Sequence, residues 1–367
     1  MSIIDRAKGF FQWEDEHKNK GNGTSLLDAK VTSKTAVVVG TMRAGKTTHV
    51  AALGKTAQYK ASDTQHSESP FRVIIDEGAT NILDDIAELS CGHFPEATPI
   101  RDNPIVNQGF KFEWEEPTFF GNRFNVKHQA VMPVLDYAGE QLVGLIKKVK
   151  QAKTLEQMMA IEGGTDQLTS IINNASALII VINAERAEGL PIFQPEPWQK
   201  IPGMSKHPDV NIHRIIFPIL QYKHETRQFS PALERIFIVI TACDLLFPIA
   251  KSISARTNQP FDPIPVDGNF QVSNASLDSF MKAFFPQTHS LIASLNVNVQ
   301  YFPSYFELEG ADRGDIQYWD AEKTQPKIKR GNIFDTPDWV HNVNRPKYTE
   351  YWYNLEIEAL REFATRV

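Results

Sequence analysis

The chain has 367 residues, 42% of them hydrophobic and 22% charged, and its formal net charge at pH 7 is −6. These values are typical of a folded protein with one large or two small domains, and the negative charge argues against nucleic acid as the main partner. The cysteines, Cys91 and Cys243, lie far apart and lack metal-ligand spacing, which predicts a reducing, cytoplasmic location without disulfides. The sequence also lacks a run of the roughly 18 apolar residues that a transmembrane helix requires.

Residues 1–33 predict an N-terminal helix followed by a linker. Five apolar side chains share one helical face, and the charged residues between them exclude a signal peptide. These five are Ile3, Ile4, Ala7, Phe10 and Phe11. The pattern favours a helix that packs on the rest of the protein, and contact of residues 1–20 with a membrane surface or a partner protein is the alternative.

The domain that follows, residues 34–367, begins with three predicted elements. Residues 35–39 (TAVVV) predict a central parallel strand that is covered on both faces. Residues 71–75 (FRVII) predict a second strand. Residues 80–92 (TNILDDIAELSCG) predict a helix with Thr80 as its N-cap and Gly92 near its end.

An antiparallel hairpin is predicted next. The segment FKFEW places Phe110, Phe112 and Trp114 on one face of a strand, and FNVKHQAVMPVLD continues after a turn around Gly121. Alternation of this kind on both sides of a glycine-containing turn is typical of two paired strands.

The second half of the chain predicts further strands and a closing helix. The apolar runs 176–184 and 235–244 are typical of buried parallel strands, and residues 295–302 (LNVNVQYF) alternate once more. The last segment predicts a helix whose apolar stripe consists of Trp352, Leu355, Ala359 and Phe363.

These elements together predict an α/β fold. Its central sheet is mostly parallel, with one antiparallel strand near an edge and helices on its faces. The spaces between the elements are long, and they predict large insertions at about residues 54–105, 185–232 and 305–345. Insertions of this size suggest contacts with protein partners.

A phosphate-binding loop is predicted at residues 40–47 (GTMRAGKT), which match G-x-x-x-x-G-K-[ST] between a strand and a helix. The two glycines let the backbone N–H groups point at phosphates, Lys46 supplies a positive charge, and the Thr47 hydroxyl can bind Mg²⁺. The start of the following helix adds its positive end. The predicted nucleotide ligands here are Gly40, Met42, Arg43, Ala44, Gly45, Lys46, Thr47 and Thr48.

Two later motifs extend this prediction. In VLDYAGEQ, Asp136 can hold Mg²⁺ through water and Gly139 can donate its N–H to a γ-phosphate, although a simple turn is the alternative. In TACD, at the end of a later apolar strand, Asp244 can accept hydrogen bonds from both N1–H and the N2 amine of guanine. The alternative for Asp244 is a carboxylate that caps the next helix.

The order of phosphate loop, hairpin, Asp-x-x-Gly and Thr-x-x-Asp resembles the Ras-like, translation-factor-related class of P-loop GTPases, over roughly residues 34–304. The resemblance is nearest to extended prokaryotic or phage-type members. It implies binding of GTP or GDP with Mg²⁺, and it makes Thr241 and Asp244 part of the base site. It also implies that Thr98 senses Mg²⁺ and γ-phosphate before the hairpin, and that Ser304 lies beside the base.

The sequence departs from this family at several positions. Ala242 stands where most members have lysine, as it does in the Thr-x-x-Asp form of guanylate-binding and atlastin-type GTPases. Those relatives carry an arginine at the position of Arg43, which implies a built-in arginine finger here; a solvent-facing or salt-bridging arginine is the alternative. They also suggest a nucleotide-dependent dimer. Glu140 stands where Ras-type proteins have a water-orienting glutamine, so it is a candidate catalytic residue together with Lys46 and Arg43.

Three functions are consistent with this pattern. The leading hypothesis is a switch that hydrolyses GTP and changes conformation around Thr98 and residues 137–150. A P-loop ATPase or kinase would need an arginine-rich lid, for which residues 101–150 supply only Arg101 and Arg123. A nucleotide-binding scaffold with little turnover is the third reading.

Overall fold

A computed structural model describes residues 31–41, 44–64, 71–75, 80–90, 108–117, 125–134, 174–193, 205–225, 231–266, 269–309, 345–348 and 350–365. The predicted N-terminal helix lies outside these residues. The first strand, β1, runs from Val31 to Gly40 and so begins inside the stretch predicted as a linker. The reason is pairing, since residues 31–35 lie in parallel register with residues 127–131.

The described strands form a seven-stranded sheet and two small ribbons. The order in the large sheet is β2-β3-β4-β1-β5-β6-β9, and the ribbons are β7-β8 and β10-β11. The strands after β1 are β2 Arg72–Ile75, β3 Gln108–Pro117, β4 Asn125–Val134, β5 Ala175–Asn183, β6 Arg235–Thr241, β7 Ile264–Val266, β8 Asn269–Gln271, β9 Asn298–Ser304, β10 Phe306–Glu309 and β11 Arg345–Tyr348.

The strand directions confirm the predicted fold class. In the large sheet β3 runs antiparallel to both of its neighbours, and the other described pairs are parallel. The predicted hairpin is β3–β4, paired from Gln108↔Val134 to Pro117↔Asn125. The small strand β2 adds one more position at the edge, beyond the hairpin.

Helices cover both faces of the sheet. The described α-helices are α1 Lys46–Thr64, α2 Thr80–Ser90, α3 Pro208–Glu225, α4 Ala250–Thr257, α5 Asn274–Phe284, α6 Pro286–Ala293 and α7 Glu350–Thr365. In β1, Ala36 and Val38 belong to the hydrophobic core under α1, α2 and α7, whereas Val37 and Val39 belong to the core under α3 to α6. Because both faces are covered, the strand has no polar position in this stretch.

The buried face of α7 differs from the predicted stripe. Ala359 and Phe363 are buried as expected, but Leu355 is 42% exposed, and the side chain of Trp352 lies outside the described set. The buried positions are Tyr353, Glu356, Ile357, Ala359, Leu360, Phe363 and Ala364. The predicted apolar stripe was therefore rotated by part of a turn from the observed buried face. The reason is that Glu356 lies on the buried face, where a polar residue interrupts the apolar pattern.

The ranges predicted as insertions contain regular elements. Range 54–105 holds the second half of α1, then β2 and α2. Range 185–232 holds α3, which connects the parallel strands β5 and β6 and starts at Pro208, where a missing N–H is tolerated. Range 305–345 holds β10 and ends at the first residue of β11, and these two strands pair antiparallel from Phe306↔Tyr348 to Glu309↔Arg345. The boundaries of the insertions stay predictions.

Among the helices described, none combines the length and the apolar character needed to cross a bilayer.

Candidate functional site

The candidate site lies where the parallel strands end. Gly40 is the last residue of β1 and pairs with Val181 of β5. The last residues of β5, β6 and β9, which follow β1 in the order of the sheet, are in register with one another. They are Asn183, Thr241 and Ser304. The phosphate loop and the TACD motif both lie at these carboxyl ends and therefore meet at one edge of the sheet. Ligands of open α/β sheets bind at this edge.

Both glycines of the loop are required by its geometry. A Cβ on Gly40 would lie 2.6 Å from the carbonyl oxygen of Val181, which belongs to a central strand and cannot move. Gly45 has a φ of +85°, a conformation that residues with a side chain rarely adopt. The described part of the loop therefore has the backbone that the motif predicts.

Lys46 begins α1, and its side chain is buried against the loop. Its Nζ donates hydrogen bonds to the carbonyl oxygens of Gly40 at 3.2 Å and Thr41 at 2.9 Å. The first hydrogen bond of the helix follows directly, from the His49 N–H to the Gly45 carbonyl at 2.8 Å. The ammonium group therefore lies at the helix N-terminus, where positive charge and N–H groups together suit a phosphate.

Thr241 joins the loop to the TACD motif. Its hydroxyl donates to the carbonyl oxygen of Ala44 at 2.6 Å and lies 3.4 Å from that of Ile182. Its methyl carbon lies 3.3 Å from the position that a Cβ on Gly45 would occupy. Two motifs that are separated by almost 200 residues in the sequence are thus in direct contact.

The rest of the TACD motif forms a sharp turn. Ala242 has φ 54° and ψ 33°, a left-handed conformation that ends β6 and starts a 3-10 helix, Cys243–Ile249. Asp244 lies half-buried in the first turn of this helix. Burial, and then the charge of Asp244, raises the pKa of the Cys243 thiol, which therefore stays protonated. The predicted strand 235–244 ends early because the chain turns at Ala242.

Ser304 lies at the predicted strand end, but its hydroxyl is engaged in the interior. The Oγ atom is 2.8 Å from the Tyr353 hydroxyl and 3.4 Å from Nδ1 of His49. Nε2 of His49 is in turn 3.2 Å from the carboxylate of Glu356. A contact between Ser304 and a base stays a prediction, and His49 and Glu356 are polar residues near the loop that sequence reasoning missed.

The remaining predicted site residues lie outside the described part of the chain. They are Met42, Arg43, Thr98, Asp136, Gly139 and Glu140. Among the residues described, the set of three or more His, Cys, Asp or Glu side chains that a metal cage would need does not occur. The groups that the structure describes here fit a phosphate with Mg²⁺: the Lys46 ammonium and the helix N-terminus suit the phosphate, and the hydroxyl oxygen of the half-buried residue Thr47 suits the ion.

Comparison with known proteins found distant similarities. No protein-family model and no curated protein matches this sequence. The GTP-bound GTPase-like domain of S. cerevisiae Ski7 aligns with 77% of this chain at 12% identity and a TM-score of 0.30, and this chain spans 45% of that one. The signal recognition particle receptor SRb-GTP/SRX complex from Chaetomium thermophilum aligns with 77% of this chain and 92% of the matched chain, at 10% identity and a TM-score of 0.29. Similarity at this level assigns neither a family nor an activity.

Proposed function

We propose that this chain binds a guanine nucleotide with Mg²⁺ and hydrolyses GTP to GDP and phosphate. The observation that carries the proposal is the hydrogen bond from the Thr241 hydroxyl to the Ala44 carbonyl. It brings a loop suited to phosphates and a motif suited to a base to one edge of the sheet. Neither motif alone defines a nucleotide site, but their contact supports one.

The phosphate groups would be bound by the loop and the start of α1. Lys46, now against the carbonyls of residues 40 and 41, would donate to the β- and γ-phosphates. Thr47 would hold Mg²⁺ together with Asp136 and Thr98, and the ion would neutralise the charge of the phosphates when bound. The N–H groups of residues 42–48 would surround the same oxygens.

The base would be recognised by Asp244, and Thr241 would fix the turn that presents it. A carboxylate accepts from two neighbouring donors of guanine, which adenine does not offer. Ala242 leaves the face of the base without the lysine stem that most related proteins place there. Selectivity would therefore depend more heavily on Asp244 than in those proteins.

Hydrolysis would require groups beyond the described part of the loop. We propose Glu140 as the residue that orients water, Gly139 as a donor to the γ-phosphate and Arg43 as the cation that stabilises charge on the leaving oxygens. Loss of the γ-phosphate would release the segments around Thr98 and residues 137–150 and so change the surface offered to protein partners or to a second copy of the chain.

Base selectivity can be tested by competition. GTP, GDP and ATP are titrated against a fluorescent GDP analogue on wild type, on Asp244→Asn and on Asp262→Asn, an exposed aspartate that serves as the matched control. We expect GTP and GDP to displace the analogue, ATP to fail, and selectivity to be lost in Asp244→Asn alone. Equal displacement by ATP that is indifferent to Asp244 would contradict the guanine site and favour an ATPase.

Turnover needs a separate assay. Release of inorganic phosphate from GTP is measured with Mg²⁺ for wild type and for Lys46→Ala. We expect slow release from wild type that is lost in the variant, because one cation at the β- and γ-phosphates is removed. Tight binding without any release from the wild type would leave a nucleotide-binding scaffold and contradict hydrolysis.

A further inference from the structure

A cluster of four polar side chains lies beneath the first turn of α1. His49, Tyr353 and Glu356 are each 1% exposed and Ser304 is 3% exposed. The four residues, which we call the buried polar cluster, come from three elements: α1, the end of β9, and α7. Burial of polar groups is costly unless each one finds a partner, so their arrangement requires an explanation.

Each member of the cluster has a partner within it. The Oε1 atom of Glu356 accepts a hydrogen bond from Nε2 of His49 across 3.2 Å. Nδ1 then accepts from the Ser304 hydroxyl, which in turn accepts from Tyr353 at 2.8 Å. Burial raises the pKa of Tyr353, with a smaller contribution from the charge of Glu356, so this hydroxyl keeps its proton.

The position of the cluster connects it to the phosphate loop on two sides. His49 is three residues after Lys46, and its own N–H makes the hydrogen bond to Gly45 that begins α1. Ser304 is in register with Thr241, whose hydroxyl holds the Ala44 carbonyl. A change at Glu356 can therefore reach the loop through the first turn of the helix and through the edge of the sheet.

Helix packing alone does not require such a cluster. Apolar side chains of similar size would join α7 to α1 at least as firmly, because a buried ion pair or hydrogen bond must first offset its own desolvation. The packing of α7 is already supplied by apolar residues such as Ile357, Leu360 and Phe363, all fully buried. A directional polar contact instead fixes the orientation of the groups that make it.

We propose that His49 is a positioning residue for the nucleotide site: held by Glu356 of α7, it orients the first turn of α1, so that the docking of α7 sets the rate of nucleotide release. This inference rests on the proposed function, since it assumes that the loop binds a nucleotide.

The test compares two glutamates of α7 in the 367-residue chain. Glu356→Leu removes the acceptor of His49, Glu356→Gln keeps an oxygen that can accept, and Glu358→Leu is the control. Glu358 also joins α7 to α1, through Lys60, but its side chain is 50% exposed. The dissociation rate of a fluorescent GDP analogue is measured after addition of excess GDP.

We expect Glu356→Leu to release the analogue about tenfold faster than wild type, the effect of losing one buried hydrogen bond. Glu356→Gln and Glu358→Leu should stay within about threefold of wild type, since each keeps the contact at His49 or never made it. Equal acceleration by Glu356→Leu and Glu358→Leu would show that any weakening of the α1–α7 interface suffices and would overturn the positioning role.

A second readout separates this inference from the proposed function. Amide hydrogen exchange of residues 46–53 is measured without nucleotide, and Glu356→Leu should exchange faster there than Glu358→Leu. If the wild type binds no nucleotide, the proposed function fails while this measurement still decides whether Glu356 orders the helix start. Should Glu356→Leu not fold, Tyr353→Phe is the replacement, because it removes the hydroxyl that donates to Ser304. It should release the analogue about fivefold faster than wild type, and a release rate no different from that of Glu358→Leu would overturn the inference.

Discussion

The hydrogen bond between Thr241 and Ala44 gives a prediction with a defined magnitude. Thr241→Val replaces the hydroxyl by a methyl group of similar size and keeps the methyl that packs against Gly45. The hydroxyl now donates at 2.6 Å to the Ala44 carbonyl, and both residues are nearly inaccessible to water. Removing the hydroxyl leaves the buried Ala44 carbonyl without this hydrogen bond, which costs about 1–3 kcal/mol.

We expect the free energy of unfolding of Thr241→Val to fall by about 2 kcal/mol, measured by urea denaturation followed by circular dichroism. Affinity for a fluorescent GDP analogue should fall by about tenfold, because the backbone of the phosphate loop is no longer held at the Ala44 carbonyl. Both losses have the same cause, so they should appear together.

Thr241→Ser is the matched control, because it keeps the hydroxyl and removes the methyl. Its affinity should stay near that of wild type, while its stability falls by about 1 kcal/mol for the lost methyl contact. The reverse order, with Ser weaker in binding than Val, would refute the reasoning and assign the contact to packing between the methyl and Gly45.

Three further predictions concern stability. Gly40→Ala should lower the free energy of unfolding by about 1–3 kcal/mol, since its Cβ would meet the Val181 carbonyl at 2.6 Å; an unchanged denaturation midpoint would contradict this close approach. Leu360→Ala should cost about 2–5 kcal/mol and Leu355→Ala less than about 0.5 kcal/mol, because Leu360 is buried and Leu355 is 42% exposed; equal losses would contradict the orientation of α7. Burial lowers the pKa of Lys223 from 10.5 to about 8, so the unfolded chain binds more protons between these values and stability should rise with pH there. Lys223→Met should remove this rise, and a denaturation series from pH 7.5 to about pH 10 that is identical for both proteins would contradict it.

The strands and their directions follow from the sequence because each depends on local patterns. The runs that became β1, β5 and β6 are continuously apolar, and central parallel strands need apolar residues on both faces. The alternation of Phe110, Phe112 and Trp114 led equally to β3, in which the last two side chains are buried. The presence of these strands and the antiparallel pairing of the hairpin were therefore predictable from the pattern of apolar residues within each segment.

The orientation of α7 was not predictable in this way. Glu356 can be buried because His49 is its hydrogen-bond partner. This partner lies 307 residues away in the sequence, so the pattern of residues within one helix cannot reveal it. A stripe drawn through the apolar residues alone then includes Leu355, which is exposed. A buried polar residue with a distant partner changes the apparent orientation of a helix.

The candidate site was predictable only in part. Gly40, Gly45 and Lys46 lie between a strand and a helix, and Thr241 ends a later strand, because strand ends and helix starts are local features of the sequence. Their roles in binding stay predictions. The direction of the Ser304 side chain was not predictable, since successive side chains of a strand point to opposite faces and a shift of one residue reverses them. Its hydroxyl consequently lies in the cluster with His49.

The ribbon of β10 and β11 has a consequence for how the chain can vary in length. Its four residue pairs, from Phe306↔Tyr348 to Glu309↔Arg345, hold together the two ends of the segment 310–344. Once the ends of a segment are held, each doubling of its length adds only about 0.6 kcal/mol of closure entropy. As far as this entropy is concerned, residues can be gained or lost between the two strands at little cost while the four pairs of the ribbon hold.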